Sequence, residues 1–566
     1  MRSHVQLGWV FAVQALLLAV AGWRNWLQLN PDAVAYCRIA GYYANGQLDW
    51  AVTGYWGPLL SWLMVPWLKL GCGPLVAARV VMAGSAVVFL VGAGAVFRAF
   101  RLPRVALLTG AWVAAGWSVF WSVRNISPDL LMAGLVGLAV SATVKCFLAR
   151  SARGVKAESK CGMRNAECGI AARGQLTAAA TAGLWWGAAY LAKAVALPLA
   201  LLTTVGLALF ALSGRGELRR ELALRLGAVW LGLALVAGPW IGVLSGHYGK
   251  FTFSTTGPIA HALAGPGEAA RYHPAMVTLH TPDLGRLTQW EEPSWMAYRR
   301  WSPFASGENF RHQLAVVGRN VDTLTDWLWG VRWMSGAADA RGAARMLPGF
   351  DLLGLSLAAV LGGVAVTVVN RRRLRRVRWS WAAVPVVALG GLYLPFWVQP
   401  EDQRYFYGVL PLVWVLVVGG WGWACRQGWG WTASIRRRVF RVAVVAFSVP
   451  ALLWLAVGLV GLPNAASRAA WELMTALRAN GHCGPLAGSG QLPGGRTGLY
   501  AAFLLGERWL GDDPSAGPAE FAAAGARVVV LRRGSPQEQA FAGDARWRAV
   551  AVETAAPVQV FQRDNP

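Results

Sequence analysis

Charge is what this 566-residue chain has least of: 14% of its residues are Asp, Glu, Lys or Arg, against roughly 25% in soluble domains. Acids are the scarcer sign. The 27 Asp and Glu stand against 53 Lys and Arg, a net charge of +26. The seven cysteines (37, 72, 146, 161, 168, 425 and 483) form no CxxC pair, which excludes a disulfide scaffold and the common zinc motifs. Cys161 and Cys168 share a loop with no His beside them and read as ordinary thiols. No HxxxH or HExxH spacing joins the histidines at 247, 261, 273, 280 and 312, which read as surface or core residues. No GxSxG nucleophile elbow, Walker A loop or Rossmann fingerprint occurs.

Apolar residues fill the space that charge leaves. They make up 56% of the chain, with 32 Trp and 66 Gly, and the mean hydropathy is +0.41. A basic soluble protein would suggest nucleic acid as partner, but this one is too apolar for that. The composition predicts an α-helical polytopic membrane protein whose positive charge sits in loops. Eleven windows approach the ~20 apolar residues that a crossing needs. They lie near 5–23, 79–97, 105–123, 129–148, 177–192, 194–213, 226–245, 351–369, 379–398, 405–425 and 441–462. The first starts too near the terminus and runs too long for a cleaved signal, and it reads as a retained anchor.

Every second connection is cationic. Arg98, Arg101 and Arg104 lie in one, Arg150 to Arg173 in the next, Arg215 to Arg225 in the third, Arg371 to Arg378 in the fourth and Arg426 to Arg441 in the fifth. The positive-inside rule predicts all five to be cytoplasmic, with the N-terminus inside and the C-terminus outside the cell membrane. Much of the net charge is then a topology signal and contact with anionic lipid. Three long stretches face outward: 24–78, 246–350 and the tail 464–566. Segment 50–68 carries no charge and is broken by Gly54, Gly57, Pro58 and Pro66. It suits helices lying in the interface better than a crossing.

The tail changes composition and reads as a small extracytoplasmic α/β domain following a transmembrane domain of 1–463. Helices are predicted at 465–477 and 500–510, and strands at 484–488, 527–531 and 558–562. The Gly-rich run 488–495 lacks the GK[ST] ending of a phosphate loop and reads as a turn.

Ionisable groups at a membrane face are expensive and so are functional candidates. Asp32 follows the first span in NPDAVAYCRIAGYYANG. It reads equally as a general base or as the N-cap of a helix over 33–44. Asp129, in RNISPDLL, reads as a helix start or a site carboxylate, and Arg124 before it has the same ambiguity. Lys193, between two apolar segments, reads as a snorkelling lysine or as a point charge for an anionic headgroup. Arg404, in EDQRYFYGVLPL, has Glu401 and Asp402 close enough to pair with it, and its planar guanidinium also suits a phosphate. Tyr405 and Tyr407 add hydroxyls and interfacial anchoring.

Four features together resemble a known family. They are the Asp-bearing stretch NPDAVAYCRIAGYYANGQLDW followed by GYWGPLLSWLMVPWLKLG; PLVAARVV, with a small residue and Arg opening the second span; SPDLLMAGLVGLA with WGAAYLAKAVALP; and EDQRYFYGVLPLVWVL ahead of a trailing domain. The chain resembles the polyprenyl-phosphate-dependent membrane glycosyltransferases of the GT-C fold, in the branch of protein O-mannosyltransferases and aminoarabinose transferases. The resemblance covers about residues 5–425. It implies that Asp32 is the base that deprotonates a hydroxyl acceptor and that Asp129 supports the site. It also implies that Lys193, Arg404 and Tyr405 meet the lipid-linked phosphate donor, with inversion at the sugar and no cofactor. The loop has one Asp32 where some relatives carry a DE or DxD pair, which leaves divalent-metal dependence open. Nor is there an equivalent of the Glu near the phosphate-binding Lys. The rival readings are a transporter or lipid-linked-sugar flippase without covalent chemistry, and an envelope scaffold that displays the tail.

Overall fold

The computed structural model describes residues 2–148, 165–212, 219–267, 272–283, 285–329, 378–396, 403–424, 432–446, 463–481, 484–489 and 496–563. Among them, five helices are long and apolar enough to cross a membrane, running within Gln6–Arg24, Pro74–Ala99, Arg104–Arg124, Asp129–Phe147 and Arg219–Tyr248. They match five of the eleven predicted windows. Three more windows form shorter apolar helices, Ala196–Leu212, Trp379–Tyr393 and Arg404–Gly420. The window at 177–192 lies within the 28-residue helix Asn165–Ala192. The window at 351–369, the end of the last one beyond Ala446, and the cationic stretches 150–164 and 371–377 lie outside the described residues.

We label the first ten helices in chain order: α1 Arg2–Arg24, α2 Pro31–Ala44, α3 Leu48–Ala51, α4 Pro58–Lys69, α5 Pro74–Ala99, α6 Arg104–Arg124, α7 Asp129–Leu148, α8 Asn165–Ala192, α9 Ala196–Leu212 and α10 Arg219–Tyr248. Segment 50–68 forms α3, a turn and α4. Pro58 opens α4 where its missing N–H is harmless, and a 12-residue helix spans about 18 Å, short of a bilayer core. The apolar helices close on one another through small residues. A Cβ on Gly92 of α5 would stand 2.2 Å from the Gly134 carbonyl oxygen of α7, so these two helices meet at backbone distance, as membrane helices do when small residues face each other.

A few polar ties fix the chain at the end of the bundle where α1 stops. Arg79 of α5 donates to the carbonyls of Gln28, Ser122 (3.3 Å) and Val123 (3.1 Å). A buried guanidinium is thus satisfied by backbone oxygens, and α5 is bound to the loop after α1 and to the last turn of α6. Asn30 then clasps the next connection: its Oδ1 accepts from the Ile126 N–H at 2.9 Å, and its Nδ2 donates to the Ile126 carbonyl. The start of α2 and the start of α7 are held side by side by this one side chain.

The tail contains a five-stranded sheet in the order β2-β1-β3-β5-β4, with β1 Leu486–Ser489, β2 Trp509–Asp512, β3 Val528–Arg532, β4 Trp547–Val550 and β5 Val558–Arg563. β1 pairs parallel with β2 and β3, and β5 runs antiparallel to β3 and β4. Alternation along β3 sends Val528 and Val530 to one face and Val529 and Leu531 to the other. The first face packs under helices Ala465–Ala479 and Thr497–Leu505, and its core is continuous with that of the membrane helices. The predicted helix over 500–510 is corrected. It ends at Leu505, because Gly506 takes the left-handed conformation (φ 77°) that closes a helix, and Trp509 and Leu510 belong to β2. Strand β4 was not predicted. The Gly-rich run lies outside the described residues from 490 to 495.

Candidate active site

Asp32 is not the cap of its helix. The N-cap position of α2 is Asn30, whose side chain is engaged with Ile126, and Pro31 and Asp32 occupy the first turn. The Asp32 carboxylate is therefore free to point elsewhere: its Oδ2 accepts from Arg404 Nη1 at 2.5 Å. Arg404 comes from the 3-10 helix Gln403–Val409, more than 370 residues along the chain. Its expected alternative partners, Glu401 and Asp402, lie outside the described residues.

A second pair stands beside the first. Asp129, the first residue of α7, accepts from Lys193 Nζ at 2.6 Å. Lys193 sits in the break between α8 and α9, where its N–H still closes on the Ala189 carbonyl. The loop ahead of α4 seals this break: a Cβ on Gly57 would stand 2.2 Å from the Ala192 carbonyl oxygen. Tyr405 joins the two pairs, its ring 4.8 Å from Lys193 Nζ and 5.8 Å from Arg404 Cζ. Both are cation–π distances. Arg404 is also within electrostatic reach of Asp129. The structure thus brings together all five residues singled out from the sequence. It leaves two neighbours elsewhere. Arg124 lies over the Phe120 ring at 5.6 Å. Tyr407 is buried against Trp117 and Trp121 rather than anchored at an interface.

Sequence reasoning missed the aromatic hydroxyls around these pairs. Tyr36 lies one turn on from Asp32 along α2; burial first, then the Asp32 and Asp129 carboxylates, hold its hydroxyl well above its usual range. Tyr55 is buried within reach of Tyr405 and Asp32. Its hydroxyl meets His273 Nε2 at 3.1 Å, and His273 Nδ1 meets the Tyr298 hydroxyl at 3.2 Å. Burial, with the Arg496 cation adding to it, pushes the His273 imidazole down to about 3, so it is neutral at pH 7. From the tail, Tyr500 is buried within reach of Asp32, and Arg496 donates to the Met276 carbonyl at 3.1 Å. The i,i+4 spacing of Asp32 and Tyr36 was visible in the sequence; the other contacts join distant segments.

The long segment after α10 packs against α2 through its turn Gln289–Glu291. Glu291 accepts from the Leu287 and Thr288 N–H groups, from Tyr42 at 2.5 Å and, as an ion pair, from Arg38 at 3.5 Å. Elsewhere in this segment His261 stacks on Trp301 at 4.8 Å, and His312 meets the Ala264 carbonyl at 2.8 Å. Each site carboxylate already has a cation, so a divalent metal between them would have to displace Arg404 or Lys193.

Comparison with solved structures extends over the whole of this arrangement. ArnT from Cupriavidus metallidurans in the apo state superposes with a TM-score of 0.54 at 16% identity, over 98% of this chain and 97% of its own. The same protein bound to undecaprenyl phosphate gives 0.50 at 16% identity, over 98% of both chains. The archaeal oligosaccharyltransferase AglB from Archaeoglobus fulgidus, in complex with an inhibitory peptide and a dolichol-phosphate, gives 0.52 at 12% identity, over 93% of this chain and 69% of its own. The chain has the GT-C fold. No protein-family model and no curated protein sequence matches it. Asp129 opens one of the helices long enough to cross a membrane, and the apolar helices and this fold together are those of a multi-pass membrane protein.

Proposed function

We propose that the protein is an inverting glycosyltransferase that moves a sugar from a polyprenyl-phosphate donor to a hydroxyl acceptor at the outer face of the cell membrane. The observation that carries this reading is the paired arrangement Asp32–Arg404 and Asp129–Lys193, joined by Tyr405. Two cations beside two carboxylates match what this transfer needs. The acceptor oxygen attacks the anomeric carbon, the carbon–oxygen bond to the phosphate breaks, and the acceptor proton passes to Asp32. Lys193 and Arg404 meet the charge that grows on the departing polyprenyl phosphate. The likeness to a GT-C protein solved with undecaprenyl phosphate and to another solved with a dolichol-phosphate supports the class of donor.

The contact between Arg404 and Asp32 adds a step. Arg404 holds Asp32, so a carboxylate that is to act as base is covered. A donor phosphate competes for the guanidinium, and on this reading it uncovers the base as it binds. Water then meets an active base only when donor is present. Asp129 keeps Lys193 oriented and does not take the proton. The tail, packed on α2 through its helix Thr497–Leu505, shapes acceptor access.

The test is Asp32→Asn, assayed with polyprenyl-phosphate sugars and the full chain. General acid–base catalysis is worth about 100-fold or more, so transfer should fall by at least that factor while donor binding persists. Near-normal transfer by the purified variant removes the assignment.

A further inference from the structure

Helix α2 has two working faces. Asp32 and Tyr36 lie on the one described above. Gly41 lies nine residues beyond Asp32, about two and a half turns at 3.6 residues per turn, and so looks the opposite way. Over it opens a cavity of about 450 Å³ to which Trp26, Arg38, Tyr42, Asn45 and Trp50 contribute. None of Asp32, Asp129, Lys193, Arg404 or Tyr405 lines it.

Gly41 lines this cavity from within α2, and a Cβ built on it meets nothing within 4 Å. Other helical glycines, Gly84 and Gly238 among them, share that freedom; what marks Gly41 is its place on the cavity wall. A larger side chain there enters the cavity without striking the fold.

The walls say what fits the space. Trp26, Trp50 and Tyr42 present aromatic surface, on which the C–H faces of sugar rings pack, and Asn45 and Gln47 carry amides able to donate and accept. Arg38 adds N–H donors, but its charge is met by Glu291 at 3.5 Å, and Glu291 is itself held by Tyr42. A net-neutral cluster of donors and acceptors favours hydroxyls over an anion, which would have to compete with Glu291. Leu75, Val76 and Leu504 complete an apolar margin. The volume falls in the range of about 300–1,000 Å³ common for small-ligand pockets.

We propose that this cavity is a second carbohydrate site, which holds a neutral sugar ring of the acceptor glycan on the face of α2 turned away from the reacting atoms. Its service to transfer rests on the glycosyltransferase reading; its binding of sugar does not. The two are separated by measuring binding alone. The full chain in lipid nanodiscs is examined by saturation-transfer NMR with the methyl glycosides of glucose, mannose, galactose and N-acetylglucosamine, and with methyl glucuronide as the anionic control. At least one neutral glycoside should take up saturation above empty nanodiscs. Gly41→Leu, which fills the space with a better helix former, should weaken it at least tenfold while melting no lower than the parent, and Trp50→Ala should act in the same direction. Asp32→Asn should leave binding within twofold. Absence of binding by every neutral glycoside, equal binding by Gly41→Leu, or binding of the glucuronide alone overturns the site. If Trp50→Ala does not fold, Gly41→Leu decides. Normal transfer by Asp32→Asn alongside glycoside binding sinks the enzyme reading and leaves the site standing.

Discussion

The two ion pairs use the same chemistry in different surroundings. Asp32 and Arg404 keep 14% and 18% of their side chains exposed, whereas Asp129 is 2% exposed against 22% for Lys193. Asp32 stands in the first turn of a short helix whose cap position is filled by Asn30, so its carboxylate has no backbone duty. Asp129 opens a spanning helix, where a negative charge also favours the helix start. An accessible carboxylate held by one displaceable guanidinium suits a base that must be covered and uncovered. A sealed carboxylate suits the fixing of a lysine. On the proposed function Asp32 is then the reacting carboxylate and Asp129 the supporting one, a contrast that can be broken by substituting both alike.

The largest contrast should come from that matched pair. Asp32→Asn should lose about 100-fold or more in transfer with little change in thermal stability. Asp129→Asn should do the reverse in emphasis. Removing one partner of a buried pair leaves a charge uncompensated and costs about 3–5 kcal/mol; the partial exposure of Lys193 puts this case at the low end. A lowered melting temperature in Asp129→Asn, with residual transfer that recovers in the folded fraction, is the expected result. If instead Asp129→Asn melts normally and is inactive, the roles are exchanged.

The two cations should differ next. Arg404 presents a planar fork and Lys193 a point charge. Arg404→Lys should therefore raise the donor KM by about tenfold or more, the scale of one charge-assisted hydrogen bond. Lys193→Arg should be milder. Unchanged kinetics in both Arg404→Ala and Lys193→Ala, at saturating and at low donor, would remove the phosphate site from this location.

These residues were legible as candidates because each is a charge beside a long apolar run, and apolar runs are what sequence shows best. Their pairing was not legible. Asp32 and Arg404 are separated by 372 residues, and the start of α2 is set beside α7 by Asn30, whose partners are backbone groups with no sequence signature. The cap reading of Asp32 failed because capping is decided by position, and the cap position belongs to Asn30. In the tail, β1, β3 and β5 were visible as small or β-branched runs. Strand β4, with Arg548 and Ala549 exposed between Trp547 and Val550, carries too little apolar pattern. Tyr55, His273 and Tyr500 were passed over because nothing local marks them; only the folded chain gathers them around Asp32.

His273 offers a smaller effect that probes the surroundings of Tyr55 rather than the pairs. Its folded value of about 3 lies below the ordinary 6.5, so the unfolded chain binds a proton there that the folded chain refuses. The contribution to stability is complete above about pH 6.5 and falls as pH drops toward 3, by at most about 1.4 kcal/mol per pH unit. His273→Gln keeps a hydrogen-bonding side chain between Tyr55 and Tyr298 and removes the titration. Between pH 7 and pH 5 the parent should lose more melting temperature than this variant. Equal losses would mean that His273 is protonated without cost in the fold, and that water reaches it despite its burial.

The smallest expected effect is none at all, and it bears on the same two pairs. A divalent cation helps transfer when carboxylates would otherwise stand unneutralised beside a phosphate. Here the neutralising charges come from the chain: Arg404 lies 2.5 Å from Asp32 and Lys193 lies 2.6 Å from Asp129. The first stretch after α1 offers Asp32 without an acidic residue at 30, 31, 33 or 34, so Asp32 forms no DE or DxD pair. If the cations carry the phosphate, then prolonged chelation with EDTA, followed by assay in metal-free buffer, should leave the transfer rate unchanged, and added Mg²⁺ or Mn²⁺ should not raise it. Activity abolished by EDTA and restored by either ion would show that the pairs open to admit a metal. The phosphate would then be neutralised by that ion and not by Arg404 and Lys193 alone.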